Sequence, residues 1–178
     1  MGFVSKKSLL SRFRRDKKGA TAIEFAILIL PFSMITFAIL ETAVSFTAQE
    51  IISHSVDKVS RQLRTGQITA ASLSKTEFRE LICEDLEILV SDGCPELEFD
   101  LKSYAAFKDV PTDIPKATPT SIDTAGFAYS PGGSGTINHL RVFYRWPIIT
   151  DIMKGSLSTL DGNKTLLFAS ATWQNETY

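Results

Sequence analysis

One uninterrupted apolar run dominates the pattern along this chain. Residues 20–40, ATAIEFAILILPFSMITFAIL, carry a single charge, Glu24, in 21 positions. A helix of that length reaches about 31 Å, the thickness of a bilayer's hydrocarbon core. Pro31 lies inside the run, where it removes a main-chain hydrogen bond and bends the helix; membrane helices tolerate this better than soluble ones. After residue 40 the pattern changes rather than stops. In 41–67, ETAVSFTAQEIISHSVDKVSRQLRTGQ, Val44, Ile51, Ile52, Val56, Val59 and Leu63 recur at helical spacing with Ser, Lys, Arg and Asp on the other face. No proline or glycine interrupts this stretch before Gly66. The pattern predicts one helix over about 20–65, apolar all round in its first half and amphipathic in its second. Gly66 falls just past its end, and Arg61 and Arg64 fall in its last turn.

A second helix is predicted over 74–90, SKTEFRELICEDLEILV, where Ser74 and Glu77 form a capping box and Phe78, Leu81, Ile82, Leu86 and Leu89 make the apolar stripe. Beyond it the period shortens to two. In 96–104, Leu97, Phe99 and Leu101 alternate with Glu98, Asp100 and Lys102, as in a half-buried strand. In 139–149, Leu140, Val142, Tyr144 and Trp146 alternate with Arg141, Phe143 and Arg145, and 164–175 forms a last strand. Residues 108–136 hold four prolines and four glycines and read as a long irregular loop. Residues 151–163 read as a connection with one helical turn and a DGN turn. The expected class is α+β, with about three antiparallel strands forming a small sheet against the amphipathic helix. Tyr129, Tyr144, Trp146 and Trp173 fit either a binding face or the core, and aromatic residues in strands more often serve the core.

Charge orients the apolar run. Residues 1–19 hold Lys6, Lys7, Arg12, Arg14, Arg15, Lys17 and Lys18 against Asp16, a balance of +6, and the rest of the chain carries −7. The basic side of a membrane helix stays cytoplasmic, which places residues 41–178 across the membrane, in the periplasm of a bacterium. The expected divisions are a leader at 1–19, a span at 20–40, its amphipathic continuation at 41–66 and an α+β domain at 67–178. A secretory signal peptide is the rival reading. Its apolar region is shorter, and the small-x-small site that should follow is represented here by the weak candidates TFA and FTA. A nucleic-acid partner is not expected, because no aromatic platform or folded basic face accompanies the basic end.

The residues of chemical interest are few. Cys83 and Cys94, 11 positions apart, are the only cysteines. An oxidising compartment favours a disulfide between them, with two unpaired thiols as the alternative. They lack CxxC spacing, and His54 and His139 lie far from them in sequence, so neither a metal nor any other cofactor is expected. SPGGSG at 130–135 has the glycines of a phosphate loop without its lysine or its strand–helix setting. Neither histidine has an oriented acid nearby in sequence, and no enzyme activity is expected. NKT and NET fit a glycosylation sequon, but in a bacterial protein they read as ordinary turn and tail residues.

The spacing Gly19-Ala-Thr-Ala-Ile-Glu24-Phe25 after a basic leader resembles the cleavage site of type IV prepilin-like proteins, and Glu followed by Phe resembles the Flp (tight adherence) branch. RTGQ (64–67), FRELIC (78–83), YRWPIIT (144–150) and WQNETY (173–178) resemble segments of the TadE-like pilus assembly proteins, the minor pseudopilins of that system. Family members often end Asn-Glu-Pro-aromatic, and Thr177 stands here in the proline's place. The resemblance implies a pilin-like fold and a prepilin peptidase that cuts between Gly19 and Ala20, leaving Glu24 and Phe25 at mature positions five and six. The new amine on Ala20 pairs with Glu24 within one helix, or Glu24 pairs with the amine of a neighbouring subunit; the residues leave both open. The implied partners are the peptidase, other pilins or pseudopilins, an inner-membrane assembly platform and the lipid bilayer. An uncleaved, membrane-anchored scaffold or regulator of the secretion apparatus is the alternative.

Overall fold

A computed structural model describes residues 19–69 and 72–177. Of the expected leader only Gly19 falls among them; the rest lies outside the described residues. The chain divides into two units, 1–39 and 40–178. Helix α1, Ala20–Arg64, contributes residues to each, close to the 20–65 predicted.

In the first unit the described residues from 20 onward are all helical. The amide of Ile23 donates to the carbonyl of Gly19 (3.1 Å). Ile23, Phe25, Ile27, Leu28, Leu30, Phe32, Met34, Ile35, Phe37 and Ile39 are all exposed. Among the described residues this is the one helix long and apolar enough to cross a membrane. Pro31 has no amide to offer the carbonyl four residues back. The hydroxyl of Thr36 donates to the carbonyl of Phe32 (2.8 Å), which keeps that polar group satisfied within its own helix, as an apolar solvent requires.

In the second unit, α1 buries Ala48, Ile52, Val56, Val59 and Leu63, the seam that a spacing of three and four residues lays along one helix face. Helix α2 follows (Lys75–Cys83), then strand β1 (Leu97–Tyr104), a single 3₁₀ turn (Phe107–Asp109), β2 (Lys116–Thr118), β3 (Ser121–Ile122), β4 (Tyr129–Ser130), β5 (Ile137–Pro147), helix α3 (Asp151–Leu157) and β6 (Lys164–Gln174). The sheet has the order β4-β1-β5-β6. β1 and β5 are antiparallel with Leu101 opposite Leu140. β5 and β6 are antiparallel with Val142 opposite Ala169. The three predicted strands are therefore present, and short β4 joins parallel to β1 through Leu101 and Tyr129. One core unites the α1 seam with Leu97, Phe99 and Leu101, with Leu140, Val142, Tyr144 and Trp146, and with Leu167, Ala169 and Trp173. Each large apolar side chain fully buried there contributes about 1.5–3 kcal/mol.

Two stretches differ from the expected pattern. The capping box of α2 is present: the Ser74 amide donates to the Glu77 carboxylate (2.8 Å) and the Glu77 amide to the Ser74 hydroxyl (3.3 Å). The helix nevertheless ends at Cys83, not near 90. The amides of Leu86 and Glu87 share the Cys83 carbonyl, and those of Leu89 and Val90 share that of Leu86, so the chain tightens into successive turns. Turning early shortens the return to Cys94, whose Cα lies 5.9 Å from that of Cys83. The 108–136 stretch is also more ordered in pattern than an irregular loop: β2 and β3 form a separate two-stranded ribbon, and β4 extends the main sheet.

Candidate functional site

The four residues singled out at the head of the apolar run lie within one turn and a half of α1's start. Gly19 precedes the helix as an exposed turn residue. A Cβ added there meets nothing within 4 Å, and its φ lies outside the left-handed region. Among the described residues nothing in the fold calls for glycine at 19. Glu24 is exposed one turn on, and among the described residues its carboxylate makes no ion pair. Phe25 beside it is 64% exposed. An apolar ring and a carboxylate that the described residues leave uncovered on a helix surface are groups open to contact from elsewhere.

Cys83 and Cys94 are joined as a disulfide. Its loop is braced from α2 by Arg79, whose guanidinium donates to the carbonyls of Gly93 (2.6 Å), Cys94 and Leu97 (3.3 Å). The Glu87 carboxylate accepts the Gly93 amide (3.1 Å). Gly93 and Cys94 both adopt positive φ, 73° and 43°, so the return depends on one residue that favours that conformation and one that does not.

The other segments that suggested a family are the points where separate elements tie together. From YRWPIIT, the amides of Ile149 and Thr150 and the Thr150 hydroxyl donate to the Glu41 carboxylate on α1. From RTGQ, the Arg64 carbonyl accepts the Glu176 amide (2.9 Å), and the Arg64 guanidinium pairs with the Glu176 carboxylate (3.2 Å). From WQNETY, buried Asn175 accepts from the Trp173 indole (2.8 Å) and donates to the carbonyls of Gly132 and Gly133 (both 3.0 Å). Trp173, Tyr144 and Trp146 are buried in the core, and Tyr129 packs against Phe78 and Phe99. The core reading of these aromatics holds.

A polar cluster that the strand pattern did not disclose lies on the opposite face of the sheet. Asp100 and Arg141 stand directly across the β1–β5 ladder and form a 2.6 Å ion pair, 1% and 7% exposed. The 113–128 stretch covers them. Asp100 accepts the Ala128 amide (2.8 Å), Arg141 donates to the Asp113 carbonyl (3.3 Å), and Lys102 donates to the Gly126 carbonyl. Phe127 stacks on Phe143, which in turn packs on Phe168. Burial alone would raise the Asp100 carboxyl, but Arg141, the Ala128 amide and Lys102 outweigh it and hold it below its ordinary value. Burial, then the Arg141 cation, pushes His139 down. Its Nδ1 bonds the Thr172 hydroxyl (2.7 Å), while its Nε2 and the Arg141 Nε are buried without a hydrogen-bond partner among the described residues. The apolar neighbours of Arg141 in β5 were the one sequence sign of its burial.

His54 is exposed on α1, in a surface groove shared with Thr47, Glu50, Ile51, Glu84, Asp85 and Ile88. Asp85 accepts from buried Ser55 (2.8 Å) and pairs with Lys58 (3.2 Å). Burial opposes its ionisation, yet these two partners hold its carboxyl below the usual value. Among the described residues no group of three or more His, Cys, Asp or Glu is placed to hold a metal ion.

No curated protein and no solved structure matches this chain. Residues 19–61 match the family model described as TadE-like protein, a match that opens at Gly19 and covers nearly all of α1. The N-terminal helical part of this chain is thus TadE-like, as the G-x-x-x-x-E-F spacing suggested.

Proposed function

We propose that this protein is a minor pilin or pseudopilin, cut by a prepilin peptidase between Gly19 and Ala20, which then takes part in assembling an Flp-type adhesive pilus. The observation that carries this reading is the head of α1. A glycine that nothing in the described fold requires is followed at five positions by an exposed carboxylate without an ion-pair partner among the described residues, and the TadE-like match begins at that glycine. The rest follows from polarity. The seven cations of residues 1–19 stay cytoplasmic, α1 anchors the chain in the inner membrane, and the α+β unit faces the periplasm, where its disulfide persists. In this reading the protein is the peptidase's substrate and not itself an enzyme. Its partners are the peptidase, other pilins or pseudopilins and the inner-membrane assembly platform. Cleavage creates a cation on Ala20 that Glu24 neutralises, either on its own helix or across subunits.

The mass of the membrane-extracted protein tests this reading. The wild type is expected to lack residues 1–19, and Gly19→Ala or loss of the peptidase restores them. An intact N-terminus in the wild type sinks the proposal and leaves an uncleaved, anchored scaffold of the secretion apparatus. Glu24→Gln, with processing verified separately, is expected to impair assembly while leaving the periplasmic unit folded.

A further inference from the structure

Strand β5 ends at Pro147, and two isoleucines follow it to opposite fates. Ile148 is buried in the core at 4% exposure, and Ile149 is 77% exposed. An exposed isoleucine needs no explanation on its own. This one is set apart by its tether. The Ile149 amide donates to the Glu41 carboxylate, and Thr150 adds its amide (3.1 Å) and its hydroxyl. Glu41 is the first charged residue after the apolar run of 20–40. A bilayer's hydrocarbon core is about 30 Å thick, and its headgroups bring the whole to about 40–45 Å. Each headgroup layer is thus about 5–7 Å deep, and a residue hydrogen-bonded to the first charge past the span lies within it. This placement holds whatever direction α1 takes into the bilayer, because Leu40, Glu41, Ile149 and Thr150 all belong to the 40–178 unit.

The surroundings of the turn suit that setting. Exposed Leu40 and Val44 flank Glu41 on α1. Three donors meet the Glu41 carboxylate. Asp151 pairs with Lys154 (2.6 Å), and Glu96 pairs with Lys164 (2.7 Å), which stands directly across the ladder from Pro147. The tip is apolar and these carboxylates are paired or hydrogen-bonded, which lowers the cost of bringing them to a lipid surface.

We infer that the Ile149 turn rests on the lipid bilayer, on the face from which α1 emerges, with the Ile149 side chain seated among the headgroups. The inference rests on reading α1 as a membrane anchor, and it gives the 40–178 unit a second hold on the bilayer besides its helix. The other end of the sheet supplies the contrast. Tyr104, Ile137 and Gln174 lie across from one another there, and the Glu176 amide just beyond reaches Arg64, the last residue of α1. From Glu41 that is about 34 Å along the helix. Exposed Phe107, just past β1, belongs to that far end.

Cysteines carrying an environment-sensitive fluorophore, introduced one at a time, test this in the full chain. The protein is reconstituted into vesicles of phosphatidylethanolamine and phosphatidylglycerol, with the Cys83–Cys94 disulfide left in place. Nitroxides sit on the lipid headgroup or high on the acyl chain, and iodide is the aqueous quencher. Nitroxide lipids are expected to quench Ile149→Cys about five-fold more than Phe107→Cys, whose end of the sheet is about 34 Å away, and iodide should show the reverse order. Asp151→Cys, at a side chain 95% exposed, repeats the reading at the same level should Ile149→Cys disturb the turn. Phe32→Cys, inside the apolar run, reports on the anchor separately. Lipid quenching at Phe32 with none at Ile149 and Asp151 overturns the inference and leaves the anchor standing. An unquenched Phe32 overturns the anchor reading and takes the inference with it. Shielding of Ile149 from iodide without quenching by lipid would mean that a protein surface covers the turn, and would also overturn it.

Discussion

Asp100 and Arg141 face each other across the ladder in near-complete burial, where a lone charge is far more costly than a paired one. Asp100→Ala strands the Arg141 guanidinium and is expected to cost about 3–5 kcal/mol, read as a lowered denaturant midpoint of the full chain. Replacing both residues with apolar ones of similar size should cost less than Asp100→Ala alone, since no charge is then stranded. The same face confers acid sensitivity. His139 has its folded-state value below the ordinary 6.5, through burial and then Arg141. As pH falls below 6.5 the unfolded chain takes up the proton first, so stability present above 6.5 is lost on the way down to the folded value. Asp100, also depressed in the folded state, adds a second loss as pH falls below its ordinary 3.8. Denaturation midpoints measured downward from pH 7 should decline below 6.5, and His139→Gln should flatten that first limb while leaving the second. These residues were legible as alternating with apolar ones. Their burial was not, because alternation distinguishes two faces without saying that a later stretch of chain will cover the polar one.

The sequence pattern served best where one face meets a core and worst where two do. Ile52, Val56, Val59 and Leu63 of the α1 seam came directly from three- and four-residue spacing, whereas Val44, expected on that face, is exposed and small Ala48 takes a buried place; the capping box located the start of α2. Strand β5 misled in a specific way: residues 137–144 are all buried, because the sheet carries the helix core on one side and the Phe127–Phe143–Phe168 stack on the other. The early end of α2 was hidden for another reason. Its apolar period continues to Leu89, but the chain must turn back to bring Cys94 to Cys83. That return puts Cys94 at a φ of 43°, a conformation that a non-glycine residue enters only at some cost. Replacing both cysteines with serine is expected to cost about 3 kcal/mol for so short a loop. Reduction of the wild type should give the same shift in midpoint, and Arg79→Ala, which removes the guanidinium from three carbonyls, should destabilise without changing the thiol count.

On the scale of the whole second unit, residues 40–178, the segments that carried the resemblance prove to be its ties. Glu41 is held by the Ile149–Thr150 turn, and the 173–176 stretch fastens the end of β6 to the 132–136 turn and to the last residue of α1. None of these long-range contacts could be read from the chain, because local periodicity carries no information on which turn an isolated Asn or Glu will meet. The ties differ in strength for a physical reason. Asn175 is buried, receives the Trp173 indole N–H and supplies donors to Gly132 and Gly133. Gly132 has no room for a side chain, since a Cβ there would collide with the Thr136 hydroxyl and come within 2.9 Å of the Ser103 Cβ. Glu176 makes its ion pair with Arg64 at the surface, both side chains more than half exposed, where solvent screens the attraction. Asn175→Ala leaves the buried Trp173 indole N–H and the Gly132 carbonyl without this partner, while Gly133 keeps its bonds from Thr136, and is expected to cost about 1–3 kcal/mol. Glu176→Ala, which keeps the main-chain bond to Arg64, should shift stability by no more than about 0.5 kcal/mol. Denaturant midpoints of the two variants beside the wild type decide the ranking. A larger loss from Glu176→Ala would mean that the surface pair, not the buried amide, fastens the tail.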